Sequence, residues 1–421
     1  MLIHKMKRVQ GEITVPGDKS ISHRAVMLGA LADGITHING FLRGADCLST
    51  IDCFRKMGVR IDDNGDSLTV HGNGLHGLRA PKVTLYTGNS GTTTRLLCGI
   101  LAGQPFDAEI TGDASICKRP MGRVTKPLSL MGADIENEYC PLIIHGTKLH
   151  GIDYSMTVAS AQVKTAIILA GLYAEGETVI HEIEKSRDHT ELMLGAMGAD
   201  IAVDGLTVRV GKTDRLAPQD VTVPGDISSA AFFMVLGSIM PDSEITIKNV
   251  GINPTRSGII DAMKAMGADI SVFNERTEGG EPTADMTVRT SSLHGTEIGG
   301  ALIPRLIDEL PVIAAAAVFA NGKTVIRDAQ ELKIKETNRI RAVVDEFKKA
   351  GVDITETDDG MIINGGRTIH GADFATYGDH RMAMSLAILA QLAEGGSTLD
   401  DASCVDVSYP GFFDDFYGLE K

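Results

Sequence analysis

Hydrophobic positions along the chain alternate between a helical spacing and a strand spacing, and one combination of the two recurs. A helical stretch ends in Met-Gly or Ala-Gly, and an apolar strand follows at once. Glycine fits the position just after a helix, where a left-handed backbone meets no clash from a Cβ atom. The segments with this pattern are Lys56–Ile61, Leu130–Ile135, Ala196–Ile201, Ala265–Ile270 and Lys349–Ile354.

A second recurring pattern is an apolar helix that ends in a turn and is followed by an alternating strand. Self-similarity at a fixed period indicates an architecture built from one supersecondary unit. Together the two patterns predict six βαβαββ units of about 70 residues each. The second pattern begins at Leu31, Leu101, Leu172, Ile239, Phe319 and Leu392.

A longer repeat relates the two halves of the chain. The string Thr-Val-Pro-Gly-Asp, followed by an apolar helix with a small-residue start, occurs in Ile13–Leu28 and again 208 positions later in Val221–Leu236. Proline stiffens the backbone and glycine frees it, which suits a hinge. We therefore predict two domains of three units each. The predicted domains are residues 17–223 and residues 1–16 with 224–421, joined by a double crossover hinge near residues 14–18 and 222–226.

Composition and charge narrow the class of protein. Of the 421 residues, 43% are hydrophobic and 23% charged, as in soluble globular proteins. The formal net charge of −15 disfavours general affinity for nucleic acid or anionic membranes. An acidic protein can still bind an anionic small molecule in a cationic cleft.

Cysteine usage and hydropathy bear on the compartment. The six cysteines are scattered without the spacing of a zinc site, so we expect reduced thiols and no metal. No apolar run approaches the ~20 residues of a membrane helix, and the first residues lack a signal-peptide core. We expect a cytoplasmic protein with no cofactor and no nucleic-acid or membrane partner, and we expect it to be a monomer.

Several predicted helices begin with small residues and cations. Such a start binds anions because the first N–H groups of a helix are free. Lys19, Ser20 and Arg24 open one of these helices, and Gly88–Arg95 leads into another, predicted over Leu96–Leu101. An N-cap residue followed by solvated charges explains each of them about equally well. The three cations of Lys118–Arg123 are placed on a loop, for which solvent exposure is the simplest explanation.

The segment Leu332–Arg341 is predicted to be helical, with Lys335 and Arg339 four residues apart on one face. Like charges at this spacing repel by a few tenths of a kcal/mol, and a bound dianion would turn that cost into a gain. In the structural alternative, Glu336 beside them partly neutralises the pair.

Four further candidates stand at predicted helix starts. Asp308 precedes an apolar run and Asp379 precedes another, so each fits an N-cap, whereas Arg381 fits an anion ligand. Ser160 opens one more apolar helix. Each candidate is weak alone. Because they accumulate in both halves, they predict a cleft for a ligand with more than one phosphate or carboxylate.

Five motifs then make a family resemblance specific. They are Pro-Gly-Asp-Lys-Ser-Ile-Ser-His-Arg, Gly-Asn-Ser-Gly-Thr-Thr-Thr-Arg, Lys-Arg-Pro-Met, Ile-Lys-Glu-Thr-Asn-Arg and Gly-Asp-His-Arg-Met-Ala-Met. In this order they closely resemble the 5-enolpyruvylshikimate-3-phosphate synthases. The resemblance implies a two-domain inside-out α/β barrel, the enolpyruvyl transferase fold, with three βαβαββ units per domain.

The resemblance also implies a reaction and a set of site residues. Phosphoenolpyruvate would transfer its enolpyruvyl group to the 5-hydroxyl of shikimate 3-phosphate, and phosphate would leave. Asp308, Glu336 and Lys19 would be catalytic, with the two carboxylates transferring the protons that addition and elimination require. Shikimate 3-phosphate would be bound by Lys19, Ser20, Arg24, Ser160, Gln162, Ser186, Asp308 and Lys335. Phosphoenolpyruvate would be bound by Lys19, Gly91, Arg119, Gln162, Arg339 and Arg381.

Three positions depart from the better-known members of that family. Ala161 replaces the second serine of a pair, and Glu331 stands where an asparagine contacts shikimate. Val407 stands near the C-terminus where a lysine often contacts phosphoenolpyruvate. Valine cannot bind an anion, so we expect the arginines to supply the affinity for phosphoenolpyruvate.

Two alternatives share the repeats. UDP-N-acetylglucosamine enolpyruvyl transferases use a loop cysteine several residues before an Arg-Pro, whereas Cys117 lies two residues before Arg119, and they lack the Lys-Ser-x-Ser-x-Arg string of Lys19–Arg24. A noncatalytic metabolite-binding protein, or a relative of RNA-end cyclases, would also carry such repeats. The acidic balance and the presence of both candidate carboxylates argue against that class.

Overall fold

The computed structural model describes residues 1–65, 67–278 and 280–421. The helices up to residue 223 are α1 (Lys19–Leu31), α2 (Ala45–Lys56), α3 (Gly91–Ala102), α4 (Gly122–Leu130), α5 (Ala161–Gly171) and α6 (His189–Ala196). The strands there are β1 (Leu2–Ile3), β2 (Gln10–Thr14), β3 (Ile35–Asn39), β4 (Arg60–Asp63), β5 (Ser67–His71), β6 (Leu85–Tyr86), β7 (Ala108–Thr111), β8 (Asp134–Glu136), β9 (Leu142–His145), β10 (Asp153–Ser155), β11 (Thr178–His181), β12 (Ile201–Asp204), β13 (Thr207–Val210) and β14 (Val221–Thr222).

The second half of the chain repeats this alternation of helices and strands. Its helices are α7 (Ile227–Ile239), α8 (Gly258–Ala265), α9 (Ile303–Leu306), α10 (Leu310–Phe319), α11 (Arg339–Lys349), α12 (His380–Ala390) and α13 (Phe412–Gly418). Its strands are β15 (Glu244–Gly251), β16 (Asp269–Glu278), β17 (Glu281–Arg289), β18 (Glu297–Ile298), β19 (Gly322–Ile326), β20 (Asp353–Glu356), β21 (Met361–Gly365), β22 (Asp373–Phe374) and β23 (Ser397–Leu399). Short 3-10 segments lie at Ile116–Lys118, Gly300–Leu302, Gln330–Ile334 and Ser403–Val407.

The chain forms two compact units, each with its own hydrophobic core. The N-terminal unit consists of Gly17–Val223 with Thr277–Glu281. The C-terminal unit consists of Met1–Pro16, Pro224–Arg276 and Pro282–Lys421.

Each unit contains three small sheets among the described residues. In the N-terminal unit their strand orders are β14-β3-β5-β4, β6-β7-β9-β8 and β10-β11-β13-β12. In the C-terminal unit they are β16-β17-β15-β2, β18-β19-β21-β20 and β1-β23-β22. In every one of these sheets, one strand pairs in parallel with one neighbour and antiparallel with the other, as β7 does with β6 and β9. The prediction of a two-domain fold built from six repeated units is confirmed.

Central helices fill the core of each unit. Every residue of α12 is buried, and so is every residue of α7 except Ile239. In the N-terminal unit, α3 approaches α5 so closely that a Cβ atom on Gly99 would lie 2.2 Å from the carbonyl oxygen of Ala166. Small residues on these helices therefore set how tightly the core packs.

The glycines of the first recurring pattern adopt the conformation that was predicted for them. They follow a helix with φ between +80° and +91°, a region that residues with a Cβ atom rarely adopt. This confirms the reason for glycine at these five places: Gly58, Gly132, Gly198, Gly267 and Gly351.

Glycine in the two Pro-Gly-Asp strings has a different cause from the one we predicted. Neither Gly17 nor Gly225 has a positive φ. A Cβ atom on Gly17 would lie 1.9 Å from the carbonyl oxygen of Gly40, and one on Gly225 would lie 2.9 Å from Val15 Cγ2. Glycine is required there because other residues of the protein lie too close for a Cβ atom, and not because the backbone conformation demands it. The hinge stays a prediction.

The structure also shows the state of the cysteines and the length of the apolar helices. None of the six cysteines, all of which lie in the described ranges, forms a disulfide, and all but the half-buried Cys117 are buried. No helix in the described ranges is both long and apolar enough to cross a membrane.

Candidate active site

The start of α1 holds three of the predicted residues. Lys19 and Ser20 are its first two residues, and the helix is capped by Asp18, which accepts a hydrogen bond from the Ile21 N–H at 2.9 Å. The cap is thus an aspartate and not a serine. The Lys19 ammonium forms an ion pair with Asp46 on α2. This pair fixes a cation beside the free N–H groups at the start of α1.

Arg24 lies one turn further along α1 and is buried. Its Nε donates to Thr190 Oγ1 at 2.7 Å, its Nη2 to Thr165 Oγ1 at 3.0 Å and its Nη1 to the Ser20 carbonyl at 2.9 Å. Burial lowers the pKa of Arg24 to about 10, and the carboxylate of Glu191 opposes that shift. Arg24 therefore remains a cation at neutral pH, with its guanidinium held by three oxygens.

Gly91 begins α3, five residues before the predicted start, because Ser90 caps the helix by accepting from the Thr93 N–H at 3.1 Å. A Cβ atom on Gly91 would lie 2.7 Å from Arg95 Nη1 and 3.5 Å from Arg119 Nη1. The bare face of this glycine is therefore open to two guanidinium groups.

Arg119 and Gln162 reach the same place from other elements. Arg119 Nη2 donates to Asn89 Oδ1 at 2.7 Å, which ties it to the loop before α3. Gln162 Oε1 accepts from Arg95 Nη1 at 2.6 Å, and Gln162 Nε2 donates to Thr92 Oγ1 at 2.9 Å. The structure thus brings Gly91, Arg119 and Gln162 together. It adds Arg95, to which the family resemblance assigned no role.

Ser160 comes directly before helix α5 in the sequence, and Ser186 comes after it. Ser160 caps α5, where its hydroxyl accepts from the Val163 N–H at 3.4 Å. Ser186 lies between β11 and α6, and its N–H and hydroxyl both donate to Glu182. Sequence reasoning missed Glu182 and its buried partner Lys164, 3.1 Å away.

In the C-terminal unit, the two candidate proton-transfer groups share one guanidinium. Arg339 Nη1 lies 3.3 Å from Asp308 Oδ1, and Arg339 Nη2 lies 2.6 Å from Glu336 Oε2. The Lys335 ammonium lies 3.2 Å from the same Asp308 oxygen. Two carboxylates and two cations therefore form one cluster.

Asp379 is a third carboxylate that binds Arg339. Its carboxylate binds Arg339 Nε at 2.8 Å and Nη2 at 3.1 Å, and it also caps α12 by accepting from the Arg381 N–H at 2.9 Å. Burial by itself lowers the pKa of Arg339, but Asp379, Glu336 and Asp308 outweigh burial and raise it above its ordinary value. Arg339 is thus a permanent cation. Arg381 joins the cluster by donating from Nη1 to the Asp308 carbonyl at 3.2 Å.

Two local predictions for this cluster are wrong. Lys335 is extended and follows a 3-10 segment, and α11 begins only at Arg339 because Asn338 caps it. Lys335 and Arg339 therefore do not share a helix face, and they meet on Asp308 instead. Asp308 is not an N-cap either, since Glu309 occupies that position before α10.

Two positions noted in the sequence lie apart from these contacts. Val407 ends a 3-10 segment and is half-buried. The Cys117 thiol lies 3.6 Å from the Gly112 carbonyl and 3.8 Å from Thr111 Oγ1.

Comparison with known proteins extends over nearly the whole chain. The family model described as EPSP synthase (3-phosphoshikimate 1-carboxyvinyltransferase) matches residues 3–416. A protein of Geobacillus kaustophilus named 3-phosphoshikimate 1-carboxyvinyltransferase is 58% identical over 417 residues, which is 98% of each chain. One of Desulforamulus reducens with the same name is 54% identical over 420 residues, again 98% of each chain. The solved structure of EPSP synthase from Acinetobacter baumannii has a TM-score of 0.89 and 44% identity, and the match covers 100% of this chain and 97% of that one.

Proposed function

This chain belongs to the EPSP synthase family, and from that premise we propose which of its residues transfer the enolpyruvyl group of phosphoenolpyruvate to the 5-hydroxyl of shikimate 3-phosphate. The reaction releases phosphate. It is a step of the shikimate pathway to aromatic amino acids. The family gives the reaction, whereas the roles below are inferences about this chain's own side chains.

The observation that carries the proposal is the pair of carboxylates on Arg339. Asp308 and Glu336 lie 28 positions apart in sequence, yet both contact the same guanidinium, at 3.3 and 2.6 Å. General acid and base catalysis needs two such groups near one reacting centre. A fixed cation between them also stabilises negative charge on a bound substrate.

Protons are transferred in both steps of the reaction. In the addition step, the 5-hydroxyl oxygen bonds to the central carbon of phosphoenolpyruvate, the hydroxyl proton goes to a base, and an acid protonates the methylene carbon. In the elimination step, the resulting methyl group loses a proton and the bond to the phosphate oxygen breaks. We assign these proton transfers to Asp308 and Glu336, with the ammonium of Lys19 as a third catalytic group.

The guanidinium of Arg339 could bind substrate in place of one of its present carboxylate partners. Its bonds to Asp379 are deeply buried, with side chains 1% and 0% exposed, whereas Asp308 and Glu336 are 13% and 24% exposed. A guanidinium has five N–H donors in a fixed fork, which suits a carboxylate or a phosphate. We infer that phosphoenolpyruvate takes up the more exposed donors of Arg339, while Asp379 keeps the guanidinium oriented.

The other contacts of phosphoenolpyruvate are assigned to Lys19, Gly91, Arg119, Gln162 and Arg381. A Cβ atom on Gly91 would crowd the Arg95 guanidinium at 2.7 Å and would contact that of Arg119 at 3.5 Å. An anion placed against the bare backbone there would meet both cations. Arg95 is our addition to this set.

Shikimate 3-phosphate is assigned to eight polar or charged residues, three of which are cations. Arg24 is fixed by three hydrogen bonds, so it loses little conformational entropy when it binds a phosphate. Lys19 is placed by Asp46, at the helix start that also offers free N–H groups. The full set is Lys19, Ser20, Arg24, Ser160, Gln162, Ser186, Asp308 and Lys335.

Phosphate release from phosphoenolpyruvate tests the proposal, with shikimate 3-phosphate as one acceptor and UDP-N-acetylglucosamine as the other. We expect phosphate release when shikimate 3-phosphate is the acceptor and none when UDP-N-acetylglucosamine is. Asp308→Asn and Glu336→Gln should each lower kcat by about 10²–10⁴-fold.

The matched control is Asp345→Asn on α11. This carboxylate accepts from Arg341 at 2.8 Å on the exposed part of the helix that Arg339 begins. It should keep wild-type kcat. Turnover with UDP-N-acetylglucosamine would contradict the choice of acceptor, and unchanged kcat in both site variants would contradict the assigned roles.

A further inference from the structure

A buried ion network lies next to Ser186 in the N-terminal unit. The Lys164 side chain on α5 is 0% exposed, and its ammonium lies 2.6 Å from Glu191 Oε1 and 3.1 Å from Glu182 Oε1. Both carboxylate side chains are also buried, at 3% and 1% exposed. A buried charge without a partner is very costly, so the short contacts with both carboxylates compensate the burial of the ammonium.

Glu182 differs from Glu191 because it also holds Ser186. Its Oε1 accepts from the Ser186 N–H at 2.9 Å and from the Ser186 hydroxyl in a short hydrogen bond. Glu182 Oε2 makes no hydrogen bond among the described residues, so Ser186 and Lys164 bind the same oxygen. A hydroxyl has a single proton, and the Ser186 hydroxyl donates it to Glu182.

A serine in this state can offer a ligand only its lone pairs. The phosphate oxygens of shikimate 3-phosphate are acceptors too, so they cannot bind the Ser186 hydroxyl while its proton points at Glu182. Binding requires the hydroxyl to turn. After that turn, Glu182 keeps the Lys164 ammonium and the Ser186 N–H as partners, so its charge stays compensated.

We propose that Glu182 and the phosphate of shikimate 3-phosphate compete for the hydroxyl proton of Ser186. Glu182 is then a positioning residue that tunes the affinity for this substrate through Ser186, and Lys164 is the counter-ion that lets it release the hydroxyl. This inference rests on the proposed function, in which Ser186 binds shikimate 3-phosphate.

The test compares Glu182→Gln with Glu191→Gln. Each variant removes one buried negative charge beside Lys164, but only the first weakens the acceptor that holds Ser186. A neutral acceptor holds a hydroxyl less strongly than a charged one. By isothermal titration calorimetry, we expect the Kd for shikimate 3-phosphate to be about three- to tenfold lower in Glu182→Gln than in Glu191→Gln.

Two further measurements separate this role from a merely structural one. The difference between the two glutamine variants should disappear when each is combined with Ser186→Ala. In steady-state kinetics, KM for shikimate 3-phosphate should differ between them while KM for phosphoenolpyruvate does not. If Glu182→Gln fails to fold, Glu182→Asp keeps the charge beside Lys164 but retracts the acceptor by one methylene, and it should lower Kd relative to wild type.

The contrary outcomes are distinct. Equal Kd values for the two glutamine variants, or a difference that survives in the Ser186→Ala background, overturn the competition. The proposed site still stands in those cases if Ser186→Ala alone raises Kd. If Ser186→Ala binds shikimate 3-phosphate as wild type does, both the competition and the assignment of Ser186 to this substrate fall.

Discussion

Lowering the pH from 7 to 5 should destabilise the N-terminal unit through His23. This histidine lies on α1, is fully buried and contacts Thr50 Oγ1 at 2.7 Å through Nδ1, while Nε2 makes no hydrogen bond among the described residues. Burial, with smaller contributions from the cations of Lys19 and Arg24, lowers the pKa of His23 from 6.5 to about 3. The imidazole is therefore neutral in the folded protein between pH 7 and pH 5.

The sign and size of the effect follow from linkage. Because the pKa of His23 is lower in the folded state, the unfolded state binds its proton first, and stability falls as pH drops below about 6.5 towards 3. A tenfold difference in proton affinity between the two states is worth ~1.4 kcal/mol. The full loss therefore approaches ~5 kcal/mol, and the part between pH 7 and pH 5 is about 2 kcal/mol.

Urea unfolding at both pH values, followed by circular dichroism, measures this loss of stability. His23→Gln removes the titrating group, so the wild type should lose about 2 kcal/mol more than the variant between pH 7 and pH 5. Groups common to both proteins cancel in that difference. Equal losses in the two proteins, or an NMR titration of His23 centred near pH 6.5 in the folded state, would refute the reasoning.

Three other substitutions have expected outcomes. Lys19→Ala should impair both turnover and shikimate 3-phosphate binding in steady-state and calorimetric assays, and Lys19→Arg should not restore them, because a planar fork does not replace a compact ammonium; wild-type turnover in Lys19→Ala would remove this residue from the mechanism. Gly91→Ala should weaken inhibition by glyphosate, the inhibitor of this family, more than it raises KM for phosphoenolpyruvate, because its Cβ atom would lie 2.7 Å from a neighbouring guanidinium and the inhibitor is slightly longer than the substrate; equal losses for both ligands would show that Gly91 does not line this pocket. Gly99→Ala should lower the free energy of unfolding by about 1–3 kcal/mol or more, because its Cβ atom would lie 2.2 Å from a backbone carbonyl. Its control, Gly195→Ala on α6, has its first neighbour at 4.0 Å and should be neutral or stabilising when both variants are compared by urea unfolding.

The repeated architecture could be predicted because its signals are local. A glycine after each helix and an alternating strand after the glycine are visible within six residues, as in Ala196–Ile201. The left-handed φ of +80° at Gly198 is a property of that residue and its immediate neighbours. Patterns of this kind need no knowledge of what packs against them.

The partners of the site residues could not be predicted in the same way. Asp308 meets Arg339 across 31 positions of sequence, and Arg339 meets Asp379 across 40. The spacing of Lys335 and Arg339 suggested one helix face, but the cap at Asn338 breaks the segment, and the two cations meet through a carboxylate from another element.

Lys164 shows what a finer interpretation of the sequence could have found. It is the charged residue of a mostly apolar helix, Ala161–Gly171, and a charge at a core position requires a buried partner. That signal predicts that a partner exists. It does not identify Glu182 and Glu191, since only the packing of α5 against α6 and the segment before it brings them within reach.

Deuterium incorporation into the methylene carbon of phosphoenolpyruvate tests proton transfer by Asp308 and Glu336 most directly. In ²H₂O with shikimate 3-phosphate, reversible addition forms a methyl group, and its return to substrate leaves deuterium on that carbon. Asp308→Asn and Glu336→Gln should each slow incorporation by about 10²–10⁴-fold while the Kd for shikimate 3-phosphate changes much less. Asp345→Asn should incorporate deuterium at the wild-type rate. Wild-type incorporation in both site variants would contradict their role in moving the proton.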